Sequence, residues 1–214
     1  MLDRLLRDLA EATPLALLLG AALGAALVGL LTGTVGESSN ESLEVLVLGS
    51  LQVLAPIGVT LIWILRLAPL RVEAAARRHL RASSPGRRGL FAGRQGQREM
   101  TVAALTALAL FPWFEGALLL GGLLATPRAG LGLGSEVAEL FRLMNATDLG
   151  QGLLRAGLFA AAAEAVCLRK GAQVRATLEE LPRLIADAIP EALLAVTALE
   201  GAWLSLVPLH GTYA

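Results

Sequence analysis

The 214-residue chain is 55% hydrophobic and only 17% charged, with 18 basic against 18 acidic residues and a mean hydropathy of +0.64. Soluble domains carry about 25% charged residues, so the apolar excess here is more than a small core takes up. Zero net charge supplies no global field for a nucleic-acid partner, and a single cysteine, Cys167, excludes an internal disulfide and reads as a small buried hydrophobe.

Residues 1–11 place Leu2, Leu5, Leu6 and Leu9 at helical spacing, with Asp3, Arg4, Arg7 and Asp8 around the rest of the wheel. The pattern suits either a short amphipathic helix in the membrane interface or a helical extension of the first span. That span covers residues 14–33, is free of charge, and has Pro14 at its start. It lacks a small-residue cleavage site, so it reads as a retained span and not a signal peptide. The pair Gly20-x-x-x-Gly24 predicts a close helix contact.

A polar linker over residues 34–42 leads to a second span at 43–66, interrupted by Gln52 and Pro56. The third span is expected over 100–126, kinked or locally opened at Pro112. A Gly-rich loop with a short amphipathic piece at 135–144 precedes the fourth span, 148–168. The fifth is placed at 184–209, ahead of a short tail. The predicted fold is a single all-α integral membrane domain over 1–214, with an amino-terminal interfacial helix plus about five transmembrane helices and no repeat of solenoid period.

Between spans two and three, residues 67–99 read as a basic cytoplasmic loop. Arg66, Arg71, Arg77, Arg78, Arg81, Arg87, Arg88, Arg94 and Arg98 face one acid, Glu73, before Glu99 is reached. Arg71, Arg77, Arg78, Arg81, Arg87 and Arg88 are candidates for contact with anionic lipid headgroups or a cytoplasmic partner. The competing reading is a solvated loop that obeys the positive-inside rule. With the amino terminus in the cytoplasm, fifteen Lys and Arg residues fall on the inner side and two, Arg128 and Arg142, on the outer, while Arg155 lies within a span. That asymmetry orients the chain and sends its carboxyl terminus outward, with the Asn-x-Ser/Thr tripeptides at Asn40 and Asn145 in outer loops.

No metal cluster, phosphate loop or nucleophile can be assembled from the sequence, and His79 and His210 fall on opposite sides of the membrane. The reading is therefore no intrinsic catalysis and no cofactor held by this chain. Polar residues inside spans are informative because they are costly against lipid. Gln52, Glu115, Arg155 and Glu200 all fall roughly 10–15 Å below the outer surface at ~1.5 Å per residue. They predict a polar cluster with Arg155 between Glu115 and Glu200, read either as the wall of a substrate cavity or as an ion pair joining helices. Glu164, Asp187 and Glu191 form a second set toward the inner side, three acids without an assigned base. They read as a proton-relay candidate or as solvated carboxylates. Trp113, mid-span, is expected to be a packing residue.

The order Asp148-Leu149-x-x-Gly152-Leu153-x-Arg155-x-x-x-Phe159, continuing to Gly171, resembles the late segment of MlaE-type (YrbE-type) permeases. In those proteins a Lys occupies the place of Arg155 and a Gly that of Ala160. Leu54-Ala55-Pro56 is similar to the Leu-Gly-Pro of the family's second span, and Arg66 stands at the Arg of its Gly-Arg pair. Val53 stands where the family has a Glu, and a basic, Gly-rich loop replaces its acidic coupling segment.

The resemblance implies the permease subunit of an ABC-type lipid transporter in the bacterial inner membrane, a homodimer or pseudo-dimer. It further implies separate cytoplasmic ATPase subunits that carry ATP and Mg, a periplasmic MCE-domain protein, and membrane lipid as the molecule moved. The alternatives are a structural or assembly subunit of a larger membrane complex and, last, a proton- or ion-coupled carrier using Glu164 and Asp187.

Overall fold

A computed structural model describes residues 2–35, 49–81, 93–125, 138, 142, 144–174 and 178–206, and among these every regular element is helical. Helix α1 spans Leu2–Val35; a π-helical turn, Ser50–Leu54, runs directly into α2, Ala55–Arg81. Helix α3 is Arg94–Ala125, α4 is Ala146–Gly171, and a 3-10 turn, Leu178–Glu180, opens α5, Leu181–Leu206. The stretches Leu2–Leu30, Ser50–Arg81, Arg94–Ala125 and Ala146–Gly171 are each long and apolar enough to cross a membrane. At ~1.5 Å per residue these helices reach about 40–50 Å, beyond the ~30 Å hydrocarbon layer. Helix α5 covers the fifth expected span as far as residue 206; 207–209 lie outside the described residues.

The helices outrun the apolar blocks from which they were expected. Helix α1 passes through Pro14, and α3 through Pro112, as single continuous helices. The basic loop is shorter than its charge suggests: α2 continues to Arg81 and α3 begins at Arg94, so Arg71, Arg77 and Arg78 are helical. A charged helix end loses its hydropathy signal but keeps its backbone bonds, because long Arg side chains are good helix formers.

The chain divides into two compact units, the first comprising Met1–Trp63 and Ala104–Leu158, the second Ile64–Ala103 and Phe159–Ala214. In the first, α1 buries a stripe of every fourth residue, Asp8, Ala12, Ala16, Gly20, Gly24 and Val28. This row lets α1 approach α3 at backbone distance. A Cβ on Gly20 would stand 2.6 Å from the Phe114 carbonyl oxygen, and one on Gly24 would enter the Leu118 peptide. The expected close contact at this pair is thus made, and only glycine permits it. Leu18 and Leu30 on the other side of α1 are exposed, as is Trp113 at 56%, in contrast to its expected packing role. Hydropathy reports that a residue is apolar but not which way its helix is turned.

In the second unit, α5 repeats α1 in sequence and in burial. Arg7, Ala10, Ala12, Pro14, Ala16, Leu17 and Leu18 recur at one constant offset as Arg183, Ala186, Ala188, Pro190, Ala192, Leu193 and Leu194. Ala12, Ala16 and Gly20 are buried, and so are Ala188, Ala192 and Val196. Both helices therefore use an i, i+4 row of small residues, with the proline on an exposed side.

Candidate functional site

The polar side chains of the first unit converge on the π turn. Such a turn pairs each N–H with the carbonyl five residues back, as the Ala55 N–H does with the Ser50 carbonyl, and single π turns inside helices are frequent at functional sites. Here Arg155 donates through Nη1 to the main-chain carbonyl of Gln52. The Gln52 side chain donates through Nε2 to Asp148 Oδ1 at 3.1 Å. Gln52 is thus held at backbone and side chain by two residues of α4 seven apart, on one face of that helix.

Between them on the same face lies Gly152. A Cβ there would meet the Leu51 carbonyl oxygen at 2.5 Å and the Phe111 ring at 2.9 Å. The missing side chain is what lets the π turn sit against α4, and so what brings Gln52 within reach of Asp148 and Arg155. On α3, Glu115 accepts a hydrogen bond from Ser50 Oγ at 2.6 Å, two residues before Gln52. Its Oε2 is buried without a hydrogen-bond partner among the described residues.

The site has two depths. Arg155 is 2% and Glu115 3% exposed, and Ser50 is fully buried. Gln52 and Asp148 are half-buried. A ligand would therefore meet the amide of Gln52 and the carboxylate of Asp148. Arg155 and Glu115 lie behind them and hold the π turn in place. Two charges of opposite sign taken out of water are tolerable only with such hydrogen bonds.

Of the expected cluster, Gln52 and Arg155 are joined directly and Glu115 is joined to the same turn through Ser50. Glu200 belongs to the second unit, where it is half-buried on α5. Sequence reasoning did not include Ser50 or Asp148 in this cluster. Asp148 had a signal, its i, i+7 spacing from Arg155, but Ser50 had none. Among the residues quoted for the family resemblance, Pro56 and Gly152 are buried in the first unit. Phe159 is buried in the second, where Gly171 meets the backbone of α2 at Val72 and Ala76. Arg66 is exposed.

The second unit contains an ionic network that the sequence reading divided among separate roles. Arg71 of α2, only 4% exposed, lies between Glu99 of α3, Nη1 to Oε2 3.8 Å, and Glu164 of α4, Nε to Oε2 3.6 Å. Arg78 donates to Glu99 at 2.6 Å. Two arginines and two glutamates therefore fasten three helices. Arg71, expected to contact headgroups or a partner, is buried in this network, and Glu164, read as an acid without a base, has one. The reason is register: Arg71 and Arg78 are seven apart on one helical face, and α2 stays helical far enough to aim both inward.

Arg77 pairs with Glu73 on the surface at 2.5 Å. Arg81 is exposed, and Arg87 and Arg88 lie outside the described residues, as do most of 135–144 and His210. Glu191 also has basic partners, Arg169 and Lys170, the latter at 2.7 Å. Cys167 is buried, and no group of three metal-ligating side chains occurs among the described residues.

With this geometry in view, a search for relatives adds nothing to it: no protein-family model matches the chain, and no curated protein matches it significantly.

Proposed function

We propose that this chain is the permease subunit of a lipid transporter in the bacterial inner membrane. Its amino terminus is cytoplasmic and α5 forms a fifth span parallel to α1. The observation that carries the reading is the polar face built by the π turn and α4, where Gln52 and Asp148 are half-buried among membrane-length apolar helices. A polar face in such a setting is costly unless it meets a polar ligand, and a phospholipid headgroup supplies one. The recurrence of α1 in α5 supports the fifth span: Arg183 and Asp187 precede Pro190 as Arg7 and Glu11 precede Pro14. The first turns of α1, ahead of Pro14, extend the first span into the inner interface, where their charged residues meet headgroups and water.

The chain provides the path and the conformational change. ATP and Mg belong to separate cytoplasmic ATPase subunits, and a periplasmic MCE-domain protein exchanges lipid with the outer face. A dimer of the chain completes the permease. The test is purification from native membranes, followed by lipid-stimulated ATP hydrolysis and transfer of labelled phospholipid from proteoliposomes. Co-purification of an ATPase and ATP-dependent transfer, lost in Gln52→Ala and Asp148→Ala, is the expected result. A stable assembly without an ATPase would overturn it.

One observation favours the second reading, a structural or assembly subunit. Arg155 and Glu115 are both engaged by the protein's own groups, as they would be if they only fastened helices. In that case the Gln52 and Asp148 variants lose assembly and no transfer activity is found. The carrier reading is weakened, since the relay it needs would start from Glu164, which faces Arg71.

A further inference from the structure

Where α4 gives way to α5, the second unit holds a cavity of about 620 Å³ lined by Gln173, Glu180, Arg183, Leu184 and Asp187. Its size falls within the range of small-molecule sites. Gln173 is set in the turn that closes α4, its N–H donating to the Lys170 carbonyl at 3.0 Å. Glu180, Arg183 and Asp187 come from the start of α5 and the turn before it.

These three charges stand at i, i+3 and i+7, the spacings at which oppositely charged helical neighbours usually pair. Among the described residues, none of the three takes part in an ion pair or a side-chain hydrogen bond. Elsewhere in the same unit such charges do pair, Arg77 with Glu73 and Lys170 with Glu191. A guanidinium flanked by two carboxylates around an open concavity, with none of the three paired among the described residues, is complementary to a ligand that carries both signs.

We propose that this cavity binds a phosphoethanolamine group, the headgroup of phosphatidylethanolamine in the inner leaflet. The phosphodiester lies against Arg183, whose planar fork suits two phosphate oxygens, with the Gln173 amide as a second donor. The primary ammonium lies between Glu180 and Asp187, and Leu184 meets the start of the glycerol and acyl portion. An anionic headgroup without an amine leaves two carboxylates facing it uncompensated. A choline headgroup has no N–H to give them, and among the described residues the lining has no aromatic ring of the kind that recognises quaternary ammonium. The proposal rests on the membrane placement in the reading above and not on transport.

The test is native mass spectrometry of the full chain in detergent with phosphatidylethanolamine, phosphatidylcholine or phosphatidylglycerol added stepwise. Free phosphoethanolamine serves as a competitor. The wild type is expected to retain phosphatidylethanolamine first, and Arg183→Ala to weaken that retention about tenfold, the worth of a charged hydrogen-bonded contact. Glu180→Gln with Asp187→Asn is expected to erase the preference over phosphatidylcholine while phosphate-dependent binding persists. All three side chains are exposed, so these variants keep the fold.

Displacement of the lipid by free phosphoethanolamine at millimolar concentration would identify the headgroup alone as the ligand; no displacement would assign the site to the intact lipid. Equal retention of the three lipids, or indifference to Arg183→Ala, overturns the proposal. Loss of lipid in Asp148→Ala combined with indifference to Arg183→Ala overturns it while the permease reading stands. The Arg183 effect in a protein that shows no ATP-dependent transfer leaves this site standing and removes the permease reading.

Discussion

Ser50 and Glu115, 65 positions apart in the chain, are joined by a 2.6 Å hydrogen bond in which the buried hydroxyl donates to the buried carboxyl group. The bond ties the π turn to α3, while Gln52, two residues on, ties the same turn to α4. The polar face therefore depends on three helices meeting at one irregular turn, and its parts can be tested one bond at a time.

Ser50→Ala removes the hydrogen bond that Glu115 Oε1 accepts and, among the described residues, leaves a buried carboxyl group unsatisfied at both oxygens. The expected loss is about 1–3 kcal/mol of stability. Unfolding by SDS titration in mixed micelles measures it. Adding Glu115→Leu to Ser50→Ala is expected to recover part of the loss, because both partners are then apolar. An additive double mutant would show that the bond contributes nothing.

Gly152→Val drives a side chain into the Leu51 carbonyl and the Phe111 ring, separating the π turn from α4. Lipid retention at the polar face should fall to background, with a loss of about 1–3 kcal/mol from overpacking. Gly150→Val is the control, since a Cβ there meets nothing within 4 Å. Equal lipid retention by both variants would show that the close approach at Gly152 does not matter to the site.

Arg71→Ala leaves Glu99 and Glu164 without a buried cation that both face, and is expected to cost about 3–5 kcal/mol. Arg71→Ala with Glu164→Gln should be less destabilised than Arg71→Ala alone, because the stranded charge is gone. Arg77→Ala, on an exposed surface pair, should cost under about 1 kcal/mol. Thermal unfolding of the three variants in detergent ranks them, and a rank in which Arg77 outweighs Arg71 would contradict the network.

Ala10→Cys and Ala186→Cys occupy equivalent exposed places ahead of Pro14 and Pro190, and Leu18→Cys and Leu194→Cys occupy equivalent exposed places beyond them. In inner-membrane vesicles of known sidedness, a charged maleimide should label the first pair from the cytoplasmic side and spare the second pair. Labelling of residue 186 from the opposite side to residue 10 would separate α5 from α1 and remove the parallel fifth span.

Much of the architecture was legible in the sequence, since uncharged blocks of about twenty residues have few other uses. That Gln52 lies near Arg155 was legible from equal depth, but the sequence pointed Arg155 to the carboxylates of Glu115 and Glu200, whereas it donates to the Gln52 main-chain carbonyl. Arg71 shows where such reasoning fails. It lies past the end of the hydropathy block, so it was read as loop, yet α2 remains helical there and turns it inward. Ser50 carried no signal and Trp113 was expected to pack for the complementary reason, since a serine and a tryptophan within an apolar span look alike whether buried or exposed.

The sequence by itself determined that the chain is helical and of membrane length, because hydrophobic block length and helix propensity are local and additive along the chain. Which polar groups meet was decided only by the tertiary structure. Helix rotation and register set those meetings, and in a segment apolar on every side, periodicity leaves both open. They are settled by close contacts such as Gly24 on Leu118 and Gly152 on Leu51, where the absence of a side chain decides which faces touch.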